Sequence, residues 1–559
     1  MPSMTFSHTV TEHFERACVQ HGSATFIEAP GGEDLSYGEA NQRADRLAGA
    51  LGRVGVGKGD RVVALLDNGL APVVLFLACL KLGSIYVPLN TTLKGQYLER
   101  ELCNADPSAI FSEQAYLLPE LEERIASAHI RPKMVARQGD ATGLTGGAAH
   151  LAGVPVVNFA ELTAEHGGSA SPVIADPGDV ACILYTSGTV GDPKGCVISH
   201  NYLCHTAMQS IERTGRTAEE ILWTPLPLFH INALATSLVS TIIVGGQLSL
   251  GKKFSASAFW TEVYESQARV AHLLGGLMRI IASKPDSEES RRCYGQLRFV
   301  AGVPCSEELR KAWTARFGVR EIGTGVYGMT EACQITTTRY GERHPTGDEN
   351  AGHITDAFEV SIFDQRDRDL SAGTVGEIVC RPRHPHIMFE GYWRNPEASL
   401  ERMRGLWFHT RDYGWLDEHG WLHFSGRDEG IIRRLGENFP AEEVETALAR
   451  HSSVLEAAVI AVPSDFGDEE VCAVVVAVEG EVVGPRELRE YAASKLPGFA
   501  VPRFIAIVDE LPRNSVGKVV RRSLRGRIDV RNAWDALSSA AGGGRDEGGP
   551  AMHDRSPDR

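Results

Sequence analysis

The stretch that most constrains this chain is residues 185 to 195, which read YTSGTVGDPKG directly after the apolar run Val180–Leu184. Glycines allow backbone N–H groups to turn toward an anion, and the Ser and Thr hydroxyls and Lys194 add further donors. The pattern therefore predicts a buried strand that runs into a loop suited to a polyphosphate. Its spacing differs from the common nucleotide loop, in which Gly-Lys is followed at once by Ser or Thr.

Strand and helix patterns alternate along the first part of the chain. We expect helices over 7–21, 40–51 and 71–82 and a buried strand over 60–66, an order typical of parallel sheets covered by helices. Residues 136–176 are rich in Gly, Ala, Thr and Ser, which favours an irregular surface excursion. Two partial nucleotide-binding patterns also occur. The one at 52–58 is not followed by Ser or Thr, and the one at 323–328 is not followed by the helix that such a motif needs.

The pattern changes after about residue 425. Short strands at 457–462 and 471–478 alternate with helices at 440–451 and 485–495, and from residue 540 onward the glycine-rich sequence cannot build a core. We therefore predict three parts: a large N-terminal domain over 1–426, a smaller α+β domain over 427–527, and a disordered tail over 528–559.

Composition narrows the range of partners. The net charge of -16 argues against non-specific binding to nucleic acid or to anionic membranes. Eleven cysteines occur singly with no Cys-x-x-Cys pair, which fits a reducing compartment and gives no zinc spacing. The first residues carry His, Glu and Arg where a signal core would be apolar, so we predict a cytoplasmic protein with no secretory signal.

The loop resembles the signature T-S-G-T-T-G-x-P-K-G of the adenylate-forming superfamily, which includes acyl-CoA synthetases, peptide-synthetase adenylation domains and luciferases. The resemblance implies a large N-terminal α/β domain of parallel sheets covered by helices and a small mobile α+β C-terminal domain. It also implies ligation of a carboxylic acid to CoA through an acyl-adenylate, with ATP, AMP and Mg²⁺ at the site. Further motifs follow in the family's order: 301–304, 327–331, 407–412, 425–429 and 511–519.

These motifs assign roles by resemblance. Lys518, Glu331 and Thr186 would be catalytic, with Glu331 also on Mg²⁺, since a hard cation that bridges phosphates needs carboxylate oxygen. Asp412 would bind the ribose hydroxyls with help from Arg427. The nucleotide-binding set comprises Thr186, Ser187, Gly188, Thr189, Lys194, Gly302, Val303, Pro304, Tyr327, Gly328, Thr330, Asp412 and Arg427.

The resemblance also marks an acid pocket and a second half-reaction. The acid-pocket residues would be His230, Asn232, Gly302 and Gly325. Amino-acid-activating relatives usually have Asp directly after Phe229, where this chain has His230, so we expect an acid without an α-amino group. The small residues Gly275, Gly276, Gly302 and Gly325 favour a bulky acid. Arg433, Gly436, Glu437 and Asn438 would serve the thioester step, and Glu429 would be the hinge between the domains.

Two departures from the family pattern affect the ATP side. Val190 replaces a Thr in the phosphate loop, and Arg411 replaces a Gly whose position usually needs positive φ or close backbone approach. One hypothesis is therefore a variant that only transfers a ready-made acyl-adenylate, supplied by a separate adenylating enzyme, to CoA. Another is that Arg411 adds a phosphate contact. A third is an adenylation enzyme that loads a separate carrier protein.

Overall fold

The computed structural model describes most of the chain. The described residues are 8–29, 33–113, 119–127, 130–138, 150–164, 173–186, 193–303, 305–342, 350–427, 431–464, 469–478, 480–481, 483–512, 519, 521, 524 and 532–540. The chain divides into two compact units. The first comprises Met1–Thr91, Leu98–Thr186 and Lys194–Gly426, and the second comprises Thr92–Tyr97, Ser187–Pro193 and Arg427–Arg559.

The strands of the larger unit follow in chain order. They are β1 (Thr25–Ala29), β2 (Glu33–Ser36), β3 (Arg61–Leu65), β4 (Ile85–Pro88), β5 (Ala109–Glu113), β6 (Met134–Gln138), β7 (His150–Leu151), β8 (Val154–Asn158), β9 (Val180–Thr186), β10 (Lys194–Ser199), β11 (Leu222–Thr224), β12 (Leu248–Leu250), β13 (Val270–His272), β14 (Phe299–Ala301), β15 (Glu321–Gly323), β16 (Tyr327–Met329), β17 (Cys333–Thr337), β18 (Asn350–Ile354), β19 (Phe358–Phe363), β20 (Gly376–Pro382), β21 (Phe408–Leu416) and β22 (Trp421–Arg427).

The helices of this part are also given in chain order. They are α1 (Val10–His21), α2 (Tyr37–Arg53), α3 (Leu70–Leu82), α4 (Gly95–Ala105), α5 (Pro119–Ser127), α6 (Phe159–Ala164), α7 (His200–Thr214), a π-helix (Asn232–Val239), α8 (Ser240–Val244), α9 (Phe259–Ser266), α10 (Gly275–Ala282), α11 (Glu288–Arg292), α12 (Glu307–Phe317), α13 (Pro396–Arg402) and a 3-10 turn (Arg404–Leu406).

Two largely parallel sheets form the frame of the larger unit. One has the order β15-β14-β13-β11-β12-β1-β2, and the other has the order β10-β9-β4-β3-β5-β6-β8-β7. In the first sheet β13, β14 and β15 are parallel and in register, with His272 opposite Ala301 and Ala301 opposite Gly323. The carboxyl ends of these strands meet at one edge, which is where open α/β sheets bind ligands.

A third sheet of the larger unit is antiparallel in the strand pairs that the structure describes. Its order is β16-β17-β18-β22-β21-β20-β19. It contains both β16, which follows β15 in the chain, and β21, which carries Asp412. The sequence patterns did not predict this sheet, because it brings together strands from distant parts of the sequence, from β16 at Tyr327 to β22 at Arg427.

Local sequence explains where the helices begin and how they pack. Thr9 and Glu12 form a reciprocal capping box at the start of α1, and Ser36 and Glu39 do the same for α2. Helix α3 is buried on every side, as its apolar composition requires. Its one cation, Lys81, pairs with Asp45 of α2 at 2.7 Å. Within the described chain, no helix is both long and apolar enough to cross a membrane.

The smaller unit has its own strands, helices and apolar core. They are β23 (Ile431–Arg434), β24 (Glu437–Pro440), α14 (Ala441–Leu448), β25 (Val454–Pro463), β26 (Glu469–Ala477), α15 (Pro485–Lys495), a 3-10 turn (Gly498–Ala500), β27 (Phe504–Ile507), β28 (Trp534–Asp535) and α16 (Ala536–Ala540). β23 and β24 form a hairpin, and the other four strands form a sheet in the order β25-β26-β27-β28.

The predicted α/β class, with a large N-terminal part and a smaller C-terminal part, is confirmed. Two local predictions were wrong. Residues 136–176 contain β8, which joins the second sheet beside β6, because a short Val-rich strand is hidden in the overall composition. Part of the predicted disordered tail is ordered, since β28 pairs with β27 and Arg503 holds Asp535 at 3.0 Å.

Candidate active site

The hairpin of β9 and β10 places Thr186 opposite Lys194, at the two ends of the predicted phosphate loop. Lys194 is only 8% exposed, and its ammonium lies 5.5 Å from the centre of the Tyr392 ring. Burial and then the charges of Arg402 and Arg411 lower the pKa of Lys194, and Glu331 and Glu401 oppose that shift. A lysine held in this way remains a donor for an anion, because a bound phosphate would offset the cost of its burial.

Glu331 is the buried carboxylate beside this lysine. The Tyr392 hydroxyl donates a hydrogen bond of 2.7 Å to Oε1 of Glu331. Behind it, the Tyr202 hydroxyl on α7 donates to the Thr330 carbonyl at 2.9 Å and accepts from the Cys333 N–H at 2.8 Å. The segment that carries Thr330 and Glu331 is therefore fixed from two sides.

Asp412 is the second buried carboxylate, and it lies in the third sheet. Its Oδ2 accepts a hydrogen bond of 2.8 Å from the Tyr327 hydroxyl, so β16 and β21 bring two predicted nucleotide-binding residues together. Gly328 follows Tyr327 where a side chain would meet the Cys333 carbonyl oxygen at 1.8 Å. The backbone there approaches its neighbour too closely for any residue except glycine.

Arg402, at the end of α13, is a residue that the sequence reasoning missed. It is 6% exposed, and it donates from Nε to the His409 carbonyl at 2.6 Å and from Nη2 to the Thr410 carbonyl at 3.0 Å. Burial alone would lower the pKa of Arg402, but Glu331, Tyr392 and Asp412 raise it above its usual range. Nothing in its sequence context distinguishes it from an exposed helix arginine.

Arg411 adopts the backbone conformation that glycine favours, with φ at +59°. The strand pairing shifts at this point, since His409 faces Val379 and Tyr413 faces Glu377. Glu377 accepts the Arg411 N–H at 3.0 Å, and the guanidinium of Arg411 pairs with Glu401. The bulge before Asp412 is therefore formed in spite of the substitution, and the side chain is held by a carboxylate.

The predicted acid-pocket residues lie along the ends of β11, β14 and β15. His230 stacks edge-on against Phe229, and Asn232 begins the π-helix, where its Oδ1 accepts from the Thr236 hydroxyl at 2.7 Å. A side chain at Gly302 would meet Met278 Sδ at 2.1 Å, and one at Gly325 would meet Thr338 Oγ1 at 2.4 Å. The space beside each of these two glycines is thus taken by a neighbouring side chain, so the glycines by themselves do not support the expectation of a bulky acid.

The residues predicted for the thioester step share one hairpin in the smaller unit. Arg433 faces Asn438 across β23 and β24, and the connecting residues Leu435 and Gly436 have φ of +55° and +84°. Positive φ at both turn positions is typical of a type I′ turn. The Arg433 N–H donates to Glu469 Oε2 at 2.9 Å, which fixes the hairpin to β26.

Several predicted residues lie outside the part of the chain that the structure describes. They are Ser187, Gly188, Thr189, Val190, Pro304, Glu429 and Lys518, together with the side chains of Arg427 and Asn438. The described residues place the others in two groups. Thr186, Lys194, Gly302, Val303, Tyr327, Gly328, Thr330, Glu331 and Asp412 belong to the larger unit with the acid-pocket set, and Arg433, Gly436 and Glu437 belong to the smaller one.

The chain matches known proteins over most of its length. The family model described as AMP-binding enzyme matches residues 14–393, and the model of the AMP-binding enzyme C-terminal domain matches residues 443–518. A crotonobetaine/carnitine–CoA ligase of Escherichia coli (strain ATCC 8739) is 30% identical over 518 residues, which cover 90% of this chain and 96% of the relative.

Solved structures at 25% identity or above have the same fold, and two of them serve as examples. The amide bond synthetase McbA from Marinactinospora thermotolerans is 26% identical with a TM-score of 0.78, and the match covers 93% of this chain and 99% of that one. ATP-bound MatB from Rhodopseudomonas palustris is 25% identical with a TM-score of 0.64, over the same shares of the two chains.

Proposed function

Because this chain belongs to the AMP-binding enzyme family and is an AMP-forming acid–CoA ligase, we propose that it makes the acyl-adenylate itself and then transfers the acyl group to free CoA. The observation that carries the proposal is the set of contacts in the larger unit. Lys194, Glu331 and Asp412 are all buried, and each is held by a tyrosine or an arginine. Buried charges with defined partners in one place are typical of a functional site.

Asp412 is proposed to accept both ribose hydroxyls. Tyr327 donates one hydrogen bond to its Oδ2 and so holds the carboxylate in a defined orientation, and a carboxylate is an acceptor suited to hydroxyl donors. Arg427 would assist from the end of β22. Such charge-assisted hydrogen bonds are stronger than neutral ones, so this contact would orient the nucleotide.

Thr186 and Lys194 are proposed to bind the phosphates, with Ser187, Gly188 and Thr189 between them. The described residues contain no cluster of three or more His, Cys, Asp or Glu side chains that could hold a metal ion. This fits Mg²⁺ as it is usually bound with nucleotides, through one or two carboxylates and the phosphates themselves. Glu331 would be that carboxylate, and the ion would supply charge neutralisation at the phosphates.

Arg402 is proposed to position Asp412. Its guanidinium holds the two carbonyls that precede Arg411 and Asp412, so it fixes the bulge from the side of α13. The same charge lies near Glu331 and Asp412, which lowers the repulsion between two buried carboxylates.

Lys518 is proposed to contact the reacting carboxylate and the α-phosphate, where a cation would stabilise the charge that develops as pyrophosphate leaves. His230, Asn232, Gly302 and Gly325 would line the acid pocket. The thioester step would use the hairpin that carries Arg433, Gly436, Glu437 and Asn438. We also propose that residues 427–527 form the mobile domain, with Glu429 as its hinge.

The alternative without adenylation is weakened by the geometry of Arg411. The backbone keeps the glycine-like φ, and the guanidinium pairs with Glu401. A carrier protein as acceptor is the second alternative, and it differs from the first proposal only in the thiol that attacks.

The test is formation of AMP and pyrophosphate from Mg·ATP with a panel of carboxylic acids, with and without CoA. Acid-dependent pyrophosphate release without CoA, followed by acyl-CoA when CoA is added, is the expected result. Acyl-CoA formed only from supplied acyl-adenylates would support the thioesterification variant. Adenylate formation with no transfer to CoA would point to a carrier protein.

A further inference from the structure

Helix α7 packs against β17 and against the π-helix that begins with Asn232 of the predicted acid pocket. Tyr202, Thr206, Gln209 and Arg213 are spaced by four, three and four residues, so they share one side of the helix. Tyr202 contacts the backbone at Thr330 and Cys333, as described above, and Gln209 Nε2 donates to the Gln334 carbonyl at 2.8 Å. Arg213 continues this line by one further turn.

Arg213 has an unusual environment for a cation. It is only 9% exposed, and among the described residues its side chain has no hydrogen bond and no ion pair. Its Nε is fully covered and has no acceptor. Burial lowers its pKa to about 10, so the guanidinium is still charged at neutral pH. A buried charge without a countercharge is strongly unfavourable.

Neighbouring arginines show that the local structure can satisfy such a group. Arg216 donates to the Glu220 carbonyl, the Thr241 hydroxyl and the Gln247 carbonyl at 3.1, 2.8 and 2.7 Å. Arg298 pairs with Glu220 and also donates to the carbonyls of Thr214 and Gly215, which fixes the end of α7. The missing partner at Arg213 is therefore specific to that residue.

A chain of contacts connects Arg213 to the acid pocket. Ser210, three residues before Arg213, donates to the Thr236 carbonyl at 3.0 Å, and Thr236 in turn donates to Asn232 Oδ1. Ser237, in the same π-helix, lies 2.9 Å from His272 Nδ1. The pKa of His272 lies well below its usual value, first through burial and then through the charge of Arg213. Arg213 is therefore close enough to act on His272, which contacts the π-helix that begins with Asn232.

Other polar atoms beside Arg213 also lack partners. Nε2 of His272, Oε1 of Gln209 and Oε1 of Gln334 are buried and have no hydrogen-bond partner among the described residues. Buried polar atoms in native proteins are nearly always hydrogen-bonded. These three atoms, together with Nε of Arg213 itself, indicate that a polar ligand group completes the cluster.

We propose that Arg213 binds a second carboxylate of the acid substrate, at the end remote from the carboxylate that is activated. A carboxylate supplies the missing negative charge, and it matches the paired N–H groups of a guanidinium. The substrate class is then a dicarboxylic acid. The same cation repels a quaternary ammonium group. This inference rests on the proposed function, since it concerns the far end of the same acid pocket.

The test compares acids that differ only in the charge of the remote end. One set is glutarate, pentanoate and 4-trimethylammoniobutanoate, and the pairs adipate with hexanoate and terephthalate with 4-methylbenzoate extend it to other sizes. The variants are Arg213→Met, which removes the charge at similar size, and Arg213→Lys, which keeps a charge. The control is Arg339→Met, an exposed arginine. Rates with ATP and CoA and the thermal shift of the full chain by each acid are both measured.

The wild type is expected to prefer at least one dicarboxylate over its monocarboxylate by about 10- to 100-fold in kcat/KM, the effect of one charged hydrogen-bonding group. Arg213→Met should lose that preference through KM, so that dicarboxylates and monocarboxylates are used at similar rates, and Arg213→Lys should recover part of the preference. The thermal shift should follow the same order, and Arg339→Met should behave as wild type.

The two proposals fail in different ways. If monocarboxylates are ligated to CoA as well as dicarboxylates, and Arg213→Met changes neither, the ligase proposal stands and the dicarboxylate inference is overturned. If no acid is ligated, the proposed function fails, and the thermal shift decides the inference. A stabilisation by dicarboxylates that Arg213→Met abolishes supports it, and equal shifts for all acids overturn it.

Discussion

The hydroxyl group of Tyr327 donates a hydrogen bond of 2.8 Å to Oδ2 of Asp412, a residue 85 positions later in the chain. The two residues belong to different strands of the antiparallel sheet, and both were predicted to bind the nucleotide. The contact fixes the orientation of the carboxylate, which is an acceptor for hydroxyl donors.

Replacement of Tyr327 by Phe should weaken AMP binding. The change removes the donor that orients the Asp412 carboxylate. The hydrogen bond exists in the free and in the bound protein, so binding is affected only through the lost orientation, and we expect the Kd for AMP to rise by up to about 10-fold. Calorimetric titration with AMP measures this effect. Tyr294→Phe, at a tyrosine that is 62% exposed, is the matched control and should leave the Kd unchanged. An unchanged Kd in Tyr327→Phe would show that this hydroxyl does not contribute to nucleotide binding.

Replacement of Arg402 should weaken the use of ATP and leave the use of CoA unchanged. Arg402→Met removes the hydrogen bonds to the His409 and Thr410 carbonyls, so the bulge before Asp412 loses its support. We expect an increase in the KM for ATP of about ten-fold or more, with the KM for CoA unchanged. Arg402→Lys keeps the charge but lacks the fork that bridges two acceptors, and should recover only part of the loss. Equal changes in both KM values would indicate a general structural defect instead.

At position 411, glycine should give a more stable protein than alanine, which is the reverse of their usual effect in strands. Alanine normally stabilises a strand by about 0.5–1 kcal/mol relative to glycine, but a residue other than glycine at φ of +59° is disfavoured by about 1–2 kcal/mol. Both Arg411→Gly and Arg411→Ala remove the pair with Glu401, so their difference isolates the backbone effect. Denaturant unfolding of the full chain should show the Gly variant to be the more stable one. An Ala variant of higher stability would contradict this conformation.

Lys194 should make nucleotide binding weaken at high pH. Its pKa lies below the usual 10.5 because of burial first and then Arg402 and Arg411. As pH rises through this lowered pKa the ammonium loses its charge, so Mg·ATP affinity falls at a lower pH than for an ordinary lysine. Folded-state stability changes in the opposite direction: between the lowered pKa and 10.5 the unfolded chain binds more protons, so stability rises with pH there.

Arg411→Gly removes one cause of that shift. Titrations of Mg·ATP from pH 7 to 10 should show the loss of affinity moved to higher pH in this variant, while Arg366→Ala, at an exposed arginine, should follow the wild type. Identical pH profiles for all three proteins would show that Arg411 does not act on Lys194.

Much of this site could be predicted from the sequence, because short motifs carry their own chemistry. The loop ending in Lys194, the segment 327–331 and Asp412 each combine a charged or aromatic group with glycines or hydroxyls in a fixed order. Arg402 and Tyr392 could not be found in this way. Tyr392 reaches Glu331 across 61 residues, and such contacts depend on sheet topology that local patterns do not encode.

The same limit applies to Arg213 and to the glycines of the acid pocket. In sequence, Arg213 is an ordinary cation near the end of a helix, and only burial without a partner makes it notable. Gly302 and Gly325 indicated free space, yet Met278 and Thr338 fill the positions where side chains would lie. Whether a small residue creates a cavity depends on its neighbours in space.

The most direct test of the central claim, that this chain adenylates its own acid, is calorimetric titration of the full-length protein with Mg·ATP and, separately, with AMP. Both ligands are expected to bind, with a Kd for Mg·ATP in the micromolar to sub-millimolar range usual for enzyme substrates, about 1 μM to 1 mM. Asp412→Ala should weaken both ligands. Binding of AMP without binding of Mg·ATP would contradict the account, because the phosphate side would then be closed and the adenylate would have to come from another enzyme.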